Sequence, residues 1–134
     1  MLLKDKVVIV TGGSRGIGRA IAVACAREGA DVAINYWGDN DASYGRRSAV
    51  GEVLAEIEAL GRRALAVEGN VAAHETGTEL VRRTVEAFGK VDVLASNAGI
   101  CPFHAFLDMP PEVLETTVGV NLNGAFFEIG RAHV

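Results

Sequence analysis

Apolar residues along the chain fall into two kinds of stretch, short continuous runs and longer segments in which they recur every three or four positions. The runs, Val7–Val10 and residues 31–35, 64–67 and 91–95, are too short for helices, so four strands are predicted. Between them, Ile17, Ala20, Ile21, Ala24 and Cys25 mark the predicted apolar face of a first helix that stops at Gly29. Val50, Val53, Leu54, Ile57 and Leu60 mark a second helix ended by Gly61, and Leu80, Val81, Thr84, Val85 and Phe88 a third capped by Gly89. Pro110 and Pro111 introduce a fourth. Residues 36–47, with Gly38, Asp39, Asn40, Asp41, Ser43 and Gly45, lack either period and are predicted as a surface loop of unusual length.

Strands that alternate with helices of this size imply a parallel sheet covered on both faces, because a crossover helix is the usual way to return the chain to the same edge. Right-handed crossovers then predict the strand order 3-2-1-4. In that order the ends of the first and fourth strands flank a switch point, where open sheets bind ligands. The segment Thr11-Gly12-Gly13-Ser14-Arg15-Gly16-Ile17-Gly18 and Asn97 would meet there.

The glycine segment lies between a strand and a helix start, and that context gives it chemical meaning. Glycines there allow a turn with positive φ, close backbone approach to an anion and tight helix-on-strand packing, while the unpaired amides of the first helical turn face the ligand. Nucleotide binding is the expectation. A Walker phosphate loop is excluded, since no Gly-Lys-Ser/Thr follows.

Composition narrows the rest. The 134 residues, 49% hydrophobic, suffice for one core, and a net charge of −4 with no basic stripe argues against nucleic acid as a partner. No apolar run nears the roughly 20 residues of a membrane span, and Met1-Leu2-Leu3-Lys4-Asp5-Lys6 lacks the order of a signal peptide, so no membrane partner and a cytoplasmic location are expected. Cys25 and Cys101 have no CxxC spacing and suit free thiols, Cys25 as a core residue. No His/Cys/Asp cluster suggests a metal. Of the histidines, only His104 falls near the predicted pocket, as a site residue or as a packing imidazole beside Phe103 and Phe106.

Once Thr11-Gly12-x-x-x-Gly16-x-Gly18 is joined by Asn97-Ala98-Gly99 and by Asn121, the chain resembles the short-chain dehydrogenase/reductase family from about residue 4 to 127. The stretch from Asn97 to Pro110 resembles that family's sugar 1-dehydrogenases. The resemblance implies a Rossmann-like three-layer α/β fold, here incomplete, and oxidation of C1 of an L-rhamnose-type aldose to a lactone with hydride passing to NAD(P)+. A 3-oxoacyl carrier-protein reductase and a non-catalytic nucleotide-binding protein stand as alternatives. It also implies a homotetramer built partly through the fourth helix.

The same resemblance puts Gly12, Ser14, Arg15, Gly16, Ile17 and Gly18 at the pyrophosphate and ribose, and Asn97, Ala98 and Gly99 beneath the cofactor. It puts Asn70, where the family commonly has Asp, and Val71 beside the adenine, although Asn70 also reads as a turn former after Gly69. Ser96 replaces the usual second Asn. At the end of the second strand, where a carboxylate would bind the ribose and repel a 2′-phosphate, stand Asn35, Tyr36 and Trp37. With Arg15 able to pair a phosphate, this predicts NADP, with NAD as a second cofactor. Asp39 or Asp41 could still fold back to that point. Tyr36 and Trp37 flank the adenine or cover an apolar edge.

In the family a Ser, a Tyr and a Lys four residues after the Tyr carry the chemistry. Only Asn121 of the implied catalytic set is present; Tyr36 and Tyr44 are the only tyrosines, and neither is followed by Lys at that spacing. The resemblance gives Asn121 the role of organising the fourth helix and a water-linked proton path, whereas by itself it reads as a helix residue bonded to backbone. Residues 1–127 are therefore expected to be the N-terminal half of a dinucleotide-binding domain, inactive alone. Residues 128–134 break the apolar pattern begun by Leu122, Ala125 and Phe126 and are expected to be a non-native tail. They can be encoded GAG ATC GGA AGA GCA CAC GTC, which apart from its first base matches the start of a common sequencing adapter.

Overall fold

In the computed structural model, which describes residues 1–132, four parallel strands form one sheet in the order β3-β2-β1-β4. These are β1 (Val7–Val10), β2 (Asp31–Tyr36), β3 (Ala64–Glu68) and β4 (Val93–Ala95). Register follows from pairing Val8 with Val32 and Val93, and Ile34 with Ala66. Every strand of β1 and β2 points alternate side chains to opposite layers, so both faces need a helix. Val8, Val10, Val32 and Ile34 meet Ala22, Val23 and Ala26 of α1 (Gly16–Arg27) and Val53 and Ile57 of α3 (Ala49–Ala59). Ile9 and Ala33 face Leu80 and Val81 of α4 (His74–Phe88) on the other side.

Four details differ from the sequence reading. Residues 36–47 are not all loop: β2 runs to Tyr36, and Gly38–Ser43 form a short helix, α2, between it and α3. β4 starts at Val93 rather than at residue 91. On α1 the buried positions are Gly18, Ala22, Val23 and Ala26, while Ala20 and Ala24 are exposed and Ile17 is 74% exposed. α1 is apolar nearly all round, so the pattern did not single out a face; the contact at Gly18 did, by letting the helix start lie against the end of β1. Cys25 is half-buried against the core, and burial pushes its thiol pKa up.

The fourth predicted helix is built in three parts: α5 (Pro111–Val118), a widened π-type stretch Gly119–Gly124, and α6 (Ala125–Ala132). Helical structure persists through Gly130 to Ala132, past the expected break at residue 128. His133 and Val134, the end of the expected tail, lie outside the described residues. No helix among the described residues is long and apolar enough to cross a membrane. Nor do three His, Cys, Asp or Glu side chains gather among them in a way that would hold a metal ion.

Candidate functional site

The carboxyl ends of β1 and β4 lie side by side, and Thr11 joins them. This fully buried residue donates its backbone N–H to Ala95 O at 3.1 Å, and its Oγ1 accepts the N–H groups of Asn97 (3.0 Å) and Ala98 (3.1 Å). Asn97 returns the contact, its Nδ2 donating to Thr11 O (3.0 Å) and Gly12 O (3.3 Å). The amide side chain thereby fixes the path of the glycine turn from below. Thr11 Oγ1 also has a hydrogen to give, and it goes to Glu128 Oε2 at 3.2 Å; Ser96 Oγ donates to the same oxygen at 2.6 Å. Glu128 is buried, and that burial pushes its carboxyl pKa up against the opposing pull of the two hydroxyls.

Gly12 adopts φ +62°, and a Cβ there would come within 3.0 Å of Ala98 Cα. A Cβ on Gly18 would meet Gly12 O and approach Asn97 Nδ2 to 2.6 Å, so α1 reaches the turn only through glycine. A Cβ on Gly16 would instead project into open space. The N-terminus of α1 has no side-chain cap and no acidic residue in its first turn. Its leading amides are the donors that an α-helix leaves without internal partners, and they face the space beside Gly16.

That space is a cleft of about 590 Å³, and all the predicted cofactor-side residues line it: Gly12, Ser14, Arg15, Gly16, Ile17, Gly18, Asn35, Tyr36, Asn70, Val71, Asn97, Ala98 and Gly99. They do not all offer free groups. Asn35 is buried and spent on the protein, its Oδ1 accepting Gly12 N–H at 3.4 Å and its Nδ2 donating to Gly69 O at 2.8 Å, so it braces the turn from behind. Asn70 closes a local turn, with Oδ1 accepting Ala72 N–H at 3.0 Å. Its Nδ2 has no hydrogen bond among the described residues. Burial, followed by the charges of Glu68 and Asp41, pushes the Tyr36 phenol pKa up.

Asn121 does not line the cleft. Its Oδ1 accepts Ile100 N–H at 2.9 Å and its Nδ2 donates to Ile100 O at 2.8 Å, tying the π-type stretch to the loop that follows β4. His104 is exposed on that loop, also outside the cleft. Three participants escaped the sequence reading as partners: Thr11 as the hub, Glu128 beneath it, and the Asp41–Tyr44 pair that grips Arg15. The bond from Arg15 Nε to Asp41 Oδ1 is 2.9 Å, and the guanidinium carbon stands 4.0 Å from the Tyr44 ring centre. Each involves residues distant in sequence or inside a segment read as loop.

A second hollow, about 360 Å³, lies at the opposite end of the strands beside Asp31, Arg62, Arg63 and Lys90. There Asp31 is already held by Arg62 Nη2 at 2.9 Å and by Nε and Nη2 of Arg63, an arrangement that fastens the starts of β2 and β3.

Comparison with known proteins agrees with this geometry. A family model described as short chain dehydrogenase matches residues 6–132. The L-rhamnose 1-dehydrogenase (NAD(P)(+)) of a Sphingomonas species is 55% identical over 131 residues, which are 98% of this chain and 49% of the relative. The enzyme of the same name from Azotobacter vinelandii is 55% identical over 132 residues, 98% of this chain and 50% of the relative. The chain thus spans about half the length of the curated relatives it matches. A crystal structure of a short chain dehydrogenase from Burkholderia cenocepacia in complex with NADP superposes with a TM-score of 0.89 at 39% identity, covering 98% of this chain and 51% of that one.

Proposed function

The chain belongs to the short-chain dehydrogenase family, and from that premise we propose that it is the dinucleotide-binding half of an NADP-using oxidoreductase that oxidises C1 of an L-rhamnose-type aldose to a lactone. The observation that carries the reading is the uncapped start of α1, with Gly12, Gly16 and Gly18 clearing a path for a pyrophosphate and the first-turn amides facing it. Asn97 holds the turn rigid from beneath, and Ala98 and Gly99 floor the cleft between β1 and β4. When bound, the nicotinamide supplies the hydride acceptor. Tyr36 and Asn70 bound the side of the cleft that would take the adenosine, with Asn70 presenting its Nδ2 to the adenine ring nitrogens.

NADP is preferred, with NAD as a weaker alternative, because Asn35-Tyr36-Trp37 place no carboxylate on β2 itself and Arg15 lines the cleft; Asp39 and Asp41 line it too, but Asp41 is bonded to Arg15. The Burkholderia structure, solved with NADP, supports that choice. The sugar substrate rests on the activity named for the two L-rhamnose 1-dehydrogenases. Asn121 acts by position, clamping Ile100 so that the helix from α5 to α6 and the loop after β4 keep their spacing. Tyr36 and Tyr44, neither followed by Lys four residues on, are no substitute for a catalytic Tyr-x-x-x-Lys, so these 134 residues bind without turning over.

Exposed Leu114, Val118, Leu122, Phe126 and Ile129 repeat every three or four residues along α5 to α6 and would be covered in a homotetramer of the intact enzyme. Two free thiols fit a reducing compartment, the cytoplasm. Residues 128–134 are read as a non-native tail: Glu128 brings a carboxyl into a core position, and Gly130 weakens a helix interior. Source DNA that continues in other codons through residue 128 in independent reads would contradict this.

The deciding experiment is to recover the longer reading frame around this segment, express it, and follow nicotinamide absorbance with free aldoses and with 3-oxoacyl thioesters. Oxidation of L-rhamnose with NADP+ is expected. Activity confined to thioesters, or a frame without Ser and Tyr-x-x-x-Lys, would overturn the assignment.

A further inference from the structure

The grip on Arg15 is more elaborate than a helix start requires. Arg15 stands immediately before α1, and its Nε donates to Asp41 Oδ1 at 2.9 Å. Its guanidinium carbon stands over the Tyr44 ring, 4.0 Å from the ring centre. The Asp41 side chain is 5% exposed, against 27% for Arg15, so the carboxylate is the fixed member of the pair. α2 holds it there. Asp41 N–H donates to Trp37 O at 3.1 Å, and Asp41 O accepts Arg46 N–H at 2.8 Å and Tyr44 N–H at 3.2 Å. The turn that presents Tyr44 is therefore closed on Asp41 itself.

With Nε bonded to Asp41, Nη1 and Nη2 of Arg15 remain without hydrogen bonds among the described residues, and Arg15, Asp41 and Ser43 line the cleft beside Tyr36. A guanidinium held by its inner nitrogen turns its outer edge outward, the edge that meets two oxygens of a phosphate at once. We propose that Asp41 and Tyr44 are positioning residues for cofactor choice, presetting Arg15 so that its terminal N–H pair receives a phosphate monoester on the 2′-oxygen of the adenosine ribose. The inference rests on the dinucleotide reading above and adds to it the device that makes the phosphate count. Asp41 lines the same cleft, and its bond to Nε engages the carboxylate with the guanidinium.

The test is to titrate the 134-residue chain with NADPH and with NADH, following cofactor fluorescence, for the unmodified protein and for Asp41→Ala, Asp41→Asn, Tyr44→Leu and Arg15→Met. Arg15→Met should weaken NADPH by about tenfold to a hundredfold, the range for a charge-assisted contact, and weaken NADH far less. Asp41→Ala should weaken NADPH by about threefold to tenfold through the cost of ordering a free arginine, again sparing NADH. Asp41→Asn, whose Oδ1 still accepts from Nε, should restore NADPH binding to the original level or better. Tyr44→Leu changes an exposed residue without disturbing the buried one, and should shift the ratio in the same direction as Asp41→Ala. Unchanged or tighter NADPH binding by Asp41→Ala would show the carboxylate idle or competing with the phosphate, and equal losses for both cofactors would show α2 to be scaffolding alone; each overturns the inference while leaving dinucleotide binding intact. An unmodified chain that binds neither cofactor overturns the dinucleotide reading, and the inference with it.

Discussion

Replacing Glu128 by Gln should remove most of the pH dependence of stability between weakly acid and neutral conditions. Glu128 is 3% exposed, and its carboxylate oxygen takes hydrogens from Ser96 at 2.6 Å and Thr11 at 3.2 Å, with no cation to offset the charge among the described residues. Burial raises its folded-state pKa more than the two hydroxyls lower it. Because the folded value lies above the unfolded one, the stabilising contribution is fully present below the ordinary glutamate value of about 4.3 and is lost as pH rises through the folded value. One group of this kind changes stability by at most about 1.4 kcal/mol per pH unit within that window. For a chain of this size that is a shift in melting temperature of about 5 °C per unit. The neutral amide keeps an acceptor for both hydroxyls and cannot ionise, so melting curves from about pH 4 to pH 7 should show the unmodified chain falling relative to Glu128→Gln as pH rises. Parallel curves across that range would refute the argument, since they would mean that water reaches the carboxylate or that α6 does not dock in solution. Carboxylates whose pKa is lowered, such as Asp31 and Asp92, act below this window and in the opposite sense, so they do not obscure the comparison.

Three further outcomes follow from the geometry. Gly18→Ala drives a methyl group toward Gly12 O and Asn97 Nδ2 and should cost about 1–3 kcal/mol along with NADPH affinity; an unchanged melting temperature with normal binding would show that α1 can back away from the turn. Thr11→Val leaves the N–H groups of Asn97 and Ala98 without their acceptor and should destabilise by about 1–3 kcal/mol, whereas Thr11→Ser should cost far less, which denaturant unfolding would distinguish. Desolvation raises the Asp31 pKa, but hydrogen bonds from Arg63 and the charges of Arg62 and Arg63 lower it further; stability from Asp31 is thus present above about pH 4 and lost as pH falls through its depressed folded value, and Asp31→Asn should flatten that acid limb.

The sheet was legible in the sequence because each strand pairs an apolar run with a punctuating glycine, and because handed crossovers leave few ways to order four parallel strands. The glycine turn was legible for the same reason: Gly12 and Gly18 answer steric demands that adjacent residues impose. What escaped is what depends on distance. α2 has too few residues to display a helical period, and it is held by the bond from Asp41 to Arg15, 26 positions earlier in the chain. Asn35 looked like a group offered to a ligand because its place at the end of β2 is chemically informative. Only the neighbouring paths of Gly12 and Gly69 reveal that both ends of its amide are already taken. Thr11 shows the limit most directly. In the sequence it is the residue before a glycine motif, but in space its one hydroxyl receives two amides from beyond β4 and gives its hydrogen to a carboxyl 117 positions away. A hydroxyl has one hydrogen and two lone pairs, so that inventory is complete, and no group at this position can be exchanged without changing what joins β1 to β4. The rigidity of the anion cradle therefore resides less in its glycines, which only make room, than in the saturated threonine beneath them.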